Sequence, residues 1–510
     1  MRAYLVLAAV AACGKIPAPA GDASSGSYTV ALDKPGLFVR RAGMQTATVT
    51  VTRASGFTGD VMVGVASLPT GVTADPLMIA NPGTTGTLTL HATATATEGV
   101  AMVSVHGDSG TASVAAALRL LVGGAPGTLD ESFATGGKFV TALGANALVG
   151  RGLVVVSDGG IVAVGVNLGM SQTVLVKVTS AGVLDASFGA NGIVTTGAGA
   201  FAEGIAIVQL ASGKLVVGGV ANGDGTMNDD YGVFQYSSAG ALDTTFASSG
   251  VASVDLTPGV NSFEEIHTVA ILADGSIVAC GPDFGTSTIS HELHYSATGT
   301  LDAGFDVPET AVVMQASVVQ PDGKLVVAGS NNGKLWIGRY NATGGHDNGF
   351  GTSGATTTDL GTGGAQSLDG LILLTGGKLL GVGSNGTNAV VVRYNANGSP
   401  DLTFGTNGVV TTTTAFSTRS PNAAAIDAAG KIYYVGVTSS KPTVARFNAD
   451  GSTDSTFGTG GIAAIDFGVA GSNAQTGGYG VAIDSDGRVV ISGDVGAAGT
   501  QRLAIGRLWP

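Results

Sequence analysis

The chain has 510 residues, enough for two to four domains, and glycine fills 83 of them while charged residues make up only 12%. A net charge of −13, from 36 acidic and 23 basic residues, argues against a nucleic-acid partner, which would need a basic stripe. Cysteine occurs only at positions 13 and 280, which excludes a disulfide framework.

The chain opens MRAYLVLAAVAACGK. Arg2 is a minimal positive region, and Ala3 to Ala12 form an apolar stretch with small residues ahead of Cys13. Val10-Ala11-Ala12-Cys13 resembles the lipobox of bacterial lipoproteins. The resemblance implies a signal peptide over 1–12, cleavage before Cys13 and acylation of that cysteine, with several acyl chains giving stable anchoring. Gly14 replaces the Asp that marks inner-membrane retention in that family, so the outer membrane or cell surface is expected, with secretion as the alternative. The Pro-, Ala-, Gly- and Ser-rich segment that follows Cys13 reads as a flexible tether over 13–27. No later stretch is long and apolar enough to span a bilayer as a helix.

Residues 28–123 read as a β domain. TATVTVTR (46–53), DVMVGVAS (60–67), GTLTLHATA (86–94), VAMVSVHG (100–107) and ASVAAALRLLV (112–122) alternate or run apolar between turn-rich segments. Short strands at this density predict an immunoglobulin-like sandwich. LPTGVTA, Leu68 to Ala74, resembles a recurring piece of bacterial Ig-like spacer domains, which implies a spacer or adhesion module. His91 and His106 fall in strand patterns and are expected to have no acidic partner.

From residue 129 the chain repeats itself. LDESF at Leu129 returns as LDASF at Leu184, LDTTF at Leu242 and LDAGF at Leu301, and its Asp or counterpart stands at Asp130, Asp185, Asp243, Asp302, Asp347, Asp401 and Asp454. Each unit also carries a turn, often Asp-Gly, between apolar runs, at Gly159, Gly213, Gly275, Gly323, Gly377, Gly430 and Gly487. A third strand then ends in a polar–aromatic pair such as Arg339-Tyr340, Arg393-Tyr394 or Arg446-Phe447, and the LDxxF element leads to a fourth. Four strands in units of this length predict propeller blades rather than a horseshoe solenoid. The last unit stops at Pro510 without a fourth strand, while the copy at 129 is a fourth strand without the first three. Joined, they complete one blade, close the ring and remove its exposed edges. The expected architecture is all-β, a seven-bladed propeller over 124–510.

These units resemble the bacterial delta-60 repeats, a β-propeller repeat family, over about 129–510, because the LDxSFGxxG and DGKxxxxG signatures recur together. That family brings no general activity to carry over. Two copies depart from it: DVPETAVV after Phe305 lacks the Gly turn, and His346 replaces the Leu. Both predict altered outer strands.

Residues present in every unit read as scaffold. The repeated Asp is suited to accept from the amide two residues on, and the repeated Phe to pack between blades. Cys280 occupies a small buried slot. His291 and His294 do not make a metal pair, since three residues apart on a strand places side chains on opposite faces. Function is therefore expected where units differ. Three variable loops belong to the second and third units: Asp224, Asp229 and Asp230 in 221–232; Phe263, Glu264, Glu265 and His267 in 257–267; Asp283 and Phe284 in 281–290. Their carboxylates could hold calcium and their aromatics stack on sugars, although the spacing is not that of an EF-hand. No nucleophile or zinc-protease motif is present. The innermost strands read as mostly apolar, with Asp427 and Asp484 the main exceptions. The expectation is a monomeric binding or scaffolding module for a protein, glycan or envelope component, needing no cofactor. A lyase- or lactonase-type enzyme at the axial mouth and a structural envelope protein are the alternatives.

Overall fold

The computed structural model describes residues 27–110, 112–141, 143, 146–222, 229–247, 249–258, 262–285, 287–415, 424–469 and 477–510. They divide into two units. One takes in the described residues through Gly137 together with Trp509, the other Lys138–Leu508 and Pro510.

The first unit is two sheets around one core. Tyr28–Leu32, Met44–Arg53, Thr85–Ala92 and Val72–Ala74 pair in that order in one sheet. Gly36–Arg40, Ser113–Gly123, Gly99–Asp108, Val61–Ala66 and Leu77–Ile79 make the other, with Gly36–Arg40 parallel to its neighbour. Alternation decides what is buried: Val49, Val51, Leu88 and Leu90 from one sheet meet Val63, Val105, Leu118 and Leu120 from the other. His91, expected to lack an acidic partner, has Nε2 2.9 Å from Asp75 Oδ2. Trp509 stacks on Phe38 at 5.9 Å and donates its indole N–H to Glu98 at 3.0 Å.

The second unit holds seven four-stranded antiparallel sheets among the described residues. The first comprises Leu148–Val155, Ile161–Asn167, Gln172–Val178 and Ile193–Thr196, and five more follow the same order along the chain. The seventh combines Gly477–Ile483, Val489–Val495 and Arg502–Leu508 with Lys138–Thr141, in register from Lys138↔Gly506 to Thr141↔Leu503. The strand that follows the unmatched LDESF thus takes the edge that the last repeat leaves open. First strands of successive sheets adjoin, and that of the seventh adjoins that of the first. The seven turn glycines between first and second strands all have φ between 79° and 87°, a conformation that side chains with a Cβ avoid.

One clamp recurs through the repeats. Asp401 Oδ1 accepts from the Thr403 amide at 3.1 Å, closing the turn, while Oδ2 accepts from Arg393 Nε and Lys378 Nζ, each at 2.7 Å. The Arg393 guanidinium lies 4.5 Å above the Phe404 ring. Arg446 repeats this with Asp454 at 2.9 Å and Phe457 at 4.7 Å, and Arg339 with Asp347 at 2.8 Å and Phe350 at 4.7 Å. Lys177 serves Asp185 at 2.9 Å, and His294 approaches Asp302 at 3.6 Å and stacks on Phe305. Hydrogen bonds from serine or threonine and from the cation hold Asp185 and Asp243 down to about 2. Phe188, Phe246, Phe305 and Phe350 are buried between neighbouring sheets: Phe188 packs with Val164 of its own sheet and Leu215 of the next. Of the two departing repeats, the one after Phe305 keeps only Glu309–Thr310 as its outer strand. The one at His346 keeps the regular four residues Ala355–Thr358, so its outer strand is not altered.

Removing one partner of such a desolvated pair strands the other. Asp454→Ala is expected to lower unfolding free energy in urea by roughly 2–3 kcal/mol, and Arg446→Lys, which keeps the charge but not the planar stack, by about 1 kcal/mol. No loss for Arg446→Lys would show that the stack on Phe457 contributes nothing.

Candidate functional site

Cys13 and Asp224 lie outside the described residues. The other expected site residues are brought together, but they divide by role. Asp229 bridges to Phe263, and Glu264 to Asp283, while the Phe284 amide donates to the Phe263 carbonyl at 3.0 Å. Phe263 and Phe284 stand exposed side by side, at 54% and 40% of full accessibility. Glu264 is fully buried and turned inward. Its carboxyl accepts from the Leu256 amide and the Thr257 hydroxyl, each at 3.1 Å, yet burial pushes it up to about 7. Asp230 and Asp283 are buried too; Ser253 donates to Asp230 at 3.3 Å. Glu265 points the other way, as adjacent strand residues do, and meets His267 Nε2 at 2.9 Å. Among the described residues, no group of three or more His, Cys, Asp or Glu is arranged to hold a metal.

The innermost strands carry what the sequence reading missed. Their pairing with the second strand slips at one register in five sheets: between Gly150 and Leu153, Gly204 and Ala206, Met314 and Ala316, Leu368 and Gly370, and Gly478 and Gly480. A bulge adds a residue and re-aims its side chain. The residues so displaced are Arg151, Ile205, Gln315, Asp369 and Tyr479, and His267 holds the equivalent position before the Thr268↔Cys280 pair. The bulge drives a carbonyl onto the glycine opposite. A Cβ at Gly165, Gly219, Gly281, Gly329 or Gly383 would overlap the carbonyl oxygen of Val149, Glu203, Glu265, Val313 or Ser367 respectively. The expectation of apolar innermost strands is therefore corrected: five of these six positions are polar. Asp427 and Asp484, the exceptions expected there, are turn scaffold. Asp427 accepts from the Ala429 and Lys431 amides at 2.9 Å, and Asp484 from the Arg488 amide and Nε at 2.9 and 2.7 Å.

These side chains form an arc. The Arg151 guanidinium lies 5.2 Å over the Tyr479 ring and donates from Nε to Glu203 at 2.5 Å. His267 Nδ1 is 3.1 Å from the Met314 carbonyl oxygen. Burial, reinforced by Glu265, Glu203 and Asp230, pushes Asp229 up to about 6. Burial opposes ionisation of Glu265, but His267 and Arg151 hold it below its ordinary value. Asp494 is pushed up to about 7 by burial, against the pull of Tyr479 and Arg151. Asp369, farther round, accepts from the Tyr434 hydroxyl at 2.9 Å.

A second acidic group sits inside the third sheet. Glu292 is fully buried and neither carboxyl oxygen has a hydrogen-bond partner. Asp306 and Glu309, from the segment lacking the Gly turn, lie close. Asp306 takes His291 at 2.7 Å, and Glu309 takes the Tyr340 hydroxyl at 2.8 Å and His346 at 2.7 Å. Burial first, then these two carboxylates, raise Glu292 well above its ordinary range.

A family model described as "Domain of unknown function (DUF5122) beta-propeller" matches residues 370–404 and 429–457. These are two consecutive segments, each ending at an LDxxF phenylalanine or its counterpart, and the match supports a β-propeller for the repeats. Domains 4 and 5 of the S-layer protein SbsC overlap 18% of this chain and 50% of that one at 25% identity and a TM-score of 0.14. A Salmonella alpha-2-macroglobulin mutant overlaps 96% of this chain and 45% of that one at 8% identity and a TM-score of 0.18. The chain thus spans half or less of these solved chains, and overlaps at such scores carry no argument. No curated protein matches the chain.

Gly329→Ala is expected to cost roughly 1–3 kcal/mol by denaturant unfolding, as overpacking does; a change within experimental error would mean the bulge relaxes freely. For Glu292 the sign follows from proton binding. A raised acid keeps its proton in the folded state while the unfolded state loses it, so stability falls as pH rises above the unfolded value near 4.3. Glu292→Gln removes that fall. Its melting temperature should drop less than the wild type's between mildly acid and mildly alkaline buffer, and equal drops would refute the assignment.

Proposed function

We propose that residues 124–510 form a seven-bladed propeller of the delta-60 type, behind an Ig-like spacer over 28–123 and a tether over 13–27 acylated at Cys13. In this reading the chain is a binding or scaffolding module displayed at the bacterial outer membrane or cell surface. The pairing of Lys138–Thr141 with Arg502–Leu508 supports the closed ring. The observation that carries the functional reading is a division of labour among residues. Side chains constant along the repeats are consumed by the clamp, whereas the bulge positions and the loops of the second and third units differ from sheet to sheet and lie together. Variation confined to one end of a rigid scaffold is how binding sites are grafted onto repeat folds. Phe263 and Phe284 give that end an exposed aromatic pair of the kind that anchors interfaces. The partner is a protein, glycan or envelope component.

Co-sedimentation with purified bacterial envelopes tests this. The wild type should pellet, and Phe263→Ser with Phe284→Ser should weaken pelleting by about tenfold while far-UV circular dichroism stays unchanged. Undiminished pelleting of a folded double variant would reject the loop face as the contact. Metabolic labelling with palmitate, lost in Cys13→Ser, tests the anchor separately.

A further inference from the structure

We infer that the arc at the bulge end of the innermost strands is a binding site for a cationic hydrogen-bond donor, an ammonium or guanidinium group. This deepens the binding-module reading and rests on it.

The argument starts from what the arc has left over. Its side chains are already paired internally: Arg151 Nε donates to Glu203 at 2.5 Å, and His267 lies 2.9 Å from Glu265 with its other nitrogen 3.1 Å from the Met314 carbonyl. Four acids, Glu203, Asp229, Glu265 and Asp494, share the arc with one arginine. The atoms without a partner are acceptors. Asp494 is 1% exposed, its Oδ1 has no hydrogen-bond partner, and its carboxyl lies against Tyr479 and Arg151. Gln315, on the bulge next to Met314, has a buried Oε1 without a partner.

Unpartnered buried acceptors are costly, and a ligand that donates to them recovers that cost. An anion is disfavoured by the carboxylate excess. A neutral sugar presents acceptors as well as donors, whereas the atoms left without a partner here accept only. An ammonium or guanidinium presents donors only and supplies the missing positive charge. The raised Asp229 and Asp494 agree with this, since burial without a cation is what lifts them. A bound cation draws their protons off, so binding near neutral pH releases protons.

Isothermal titration calorimetry of the full chain tests it, with spermidine, free arginine, an Arg- and Lys-containing peptide, and glucose. Each is run near neutral pH in two buffers of different ionisation enthalpy. The expected result is binding of a cationic probe with proton release, weakened about tenfold or more by Asp494→Asn and by Glu265→Gln, and retained by Asp322→Asn in a distant exposed turn. Binding of spermidine or arginine identifies a small-molecule source, and binding of the peptide alone a protein side chain; both support the site. Glucose binding without any cationic probe overturns the ligand class and leaves the binding-module reading standing. No binding by any probe overturns the inference, while envelope co-sedimentation separately decides the broader reading.

Discussion

A carboxylate that closes a turn with one oxygen and grips a cation with the other holds the repeats together. The outer strands it secures are short: Ile193–Thr196, Val251–Val254 and Ala355–Thr358 are four residues each, too few to persist on ladder hydrogen bonds alone. The aspartate ties the start of that strand to the basic residue on the third strand. That residue lies flat on the phenylalanine buried against the next sheet. Turn, strand edge and sheet–sheet contact therefore share three side chains. Because the cation is desolvated, its pairing is obligatory, which is why the same triad returns where the rest of the repeat has diverged.

Much of this was legible because its signals are local. The Asp-Gly turns, the apolar runs and the LDxxF element each need only a few residues, and arithmetic on them assigns the strand before Thr141 to the edge beside Arg502–Leu508. Pairings fixed by register were not legible. His91 meets Asp75 because Thr73 pairs with His91, which sets the residue two positions on within reach. Glu264 looked like a ligand because its charge is visible in sequence, whereas the Leu256 amide and Thr257 hydroxyl that occupy it are not. Glu292 reads in sequence as one more strand residue, since nothing in HELHY announces that Asp306 and Glu309 lie close enough to oppose its ionisation.

The bulges were hidden for a different reason. One extra residue inside a nearly continuous apolar strand does not disturb any alternation a reader could count. Their trace lies on the partner strand, in the glycine that ends IVAVG, LVVGG, IVACG, LVVAG and LLGVG. That glycine is required by the carbonyl driven against it, not by its own dihedral angles. Aligned on it, the sequence gives up the displaced residue, which is the one just before the cross-strand partner of the residue preceding the glycine. Read this way, the positions are Arg151, Ile205, His267, Gln315 and Asp369, and the slip between Gly478 and Gly480 adds Tyr479.

The polarity of most of these positions has a physical basis. A regular strand facing a crowded axis must carry small or apolar residues, because its side chains have no room and no solvent. A bulge releases one residue from the pleat and turns it toward the strand end, where space and polarity return. Each sheet can then change that residue without disturbing its ladder or its contact with the next sheet. The repeat thus separates what must stay constant, the clamp and the glycine, from what is free to vary, the bulge position.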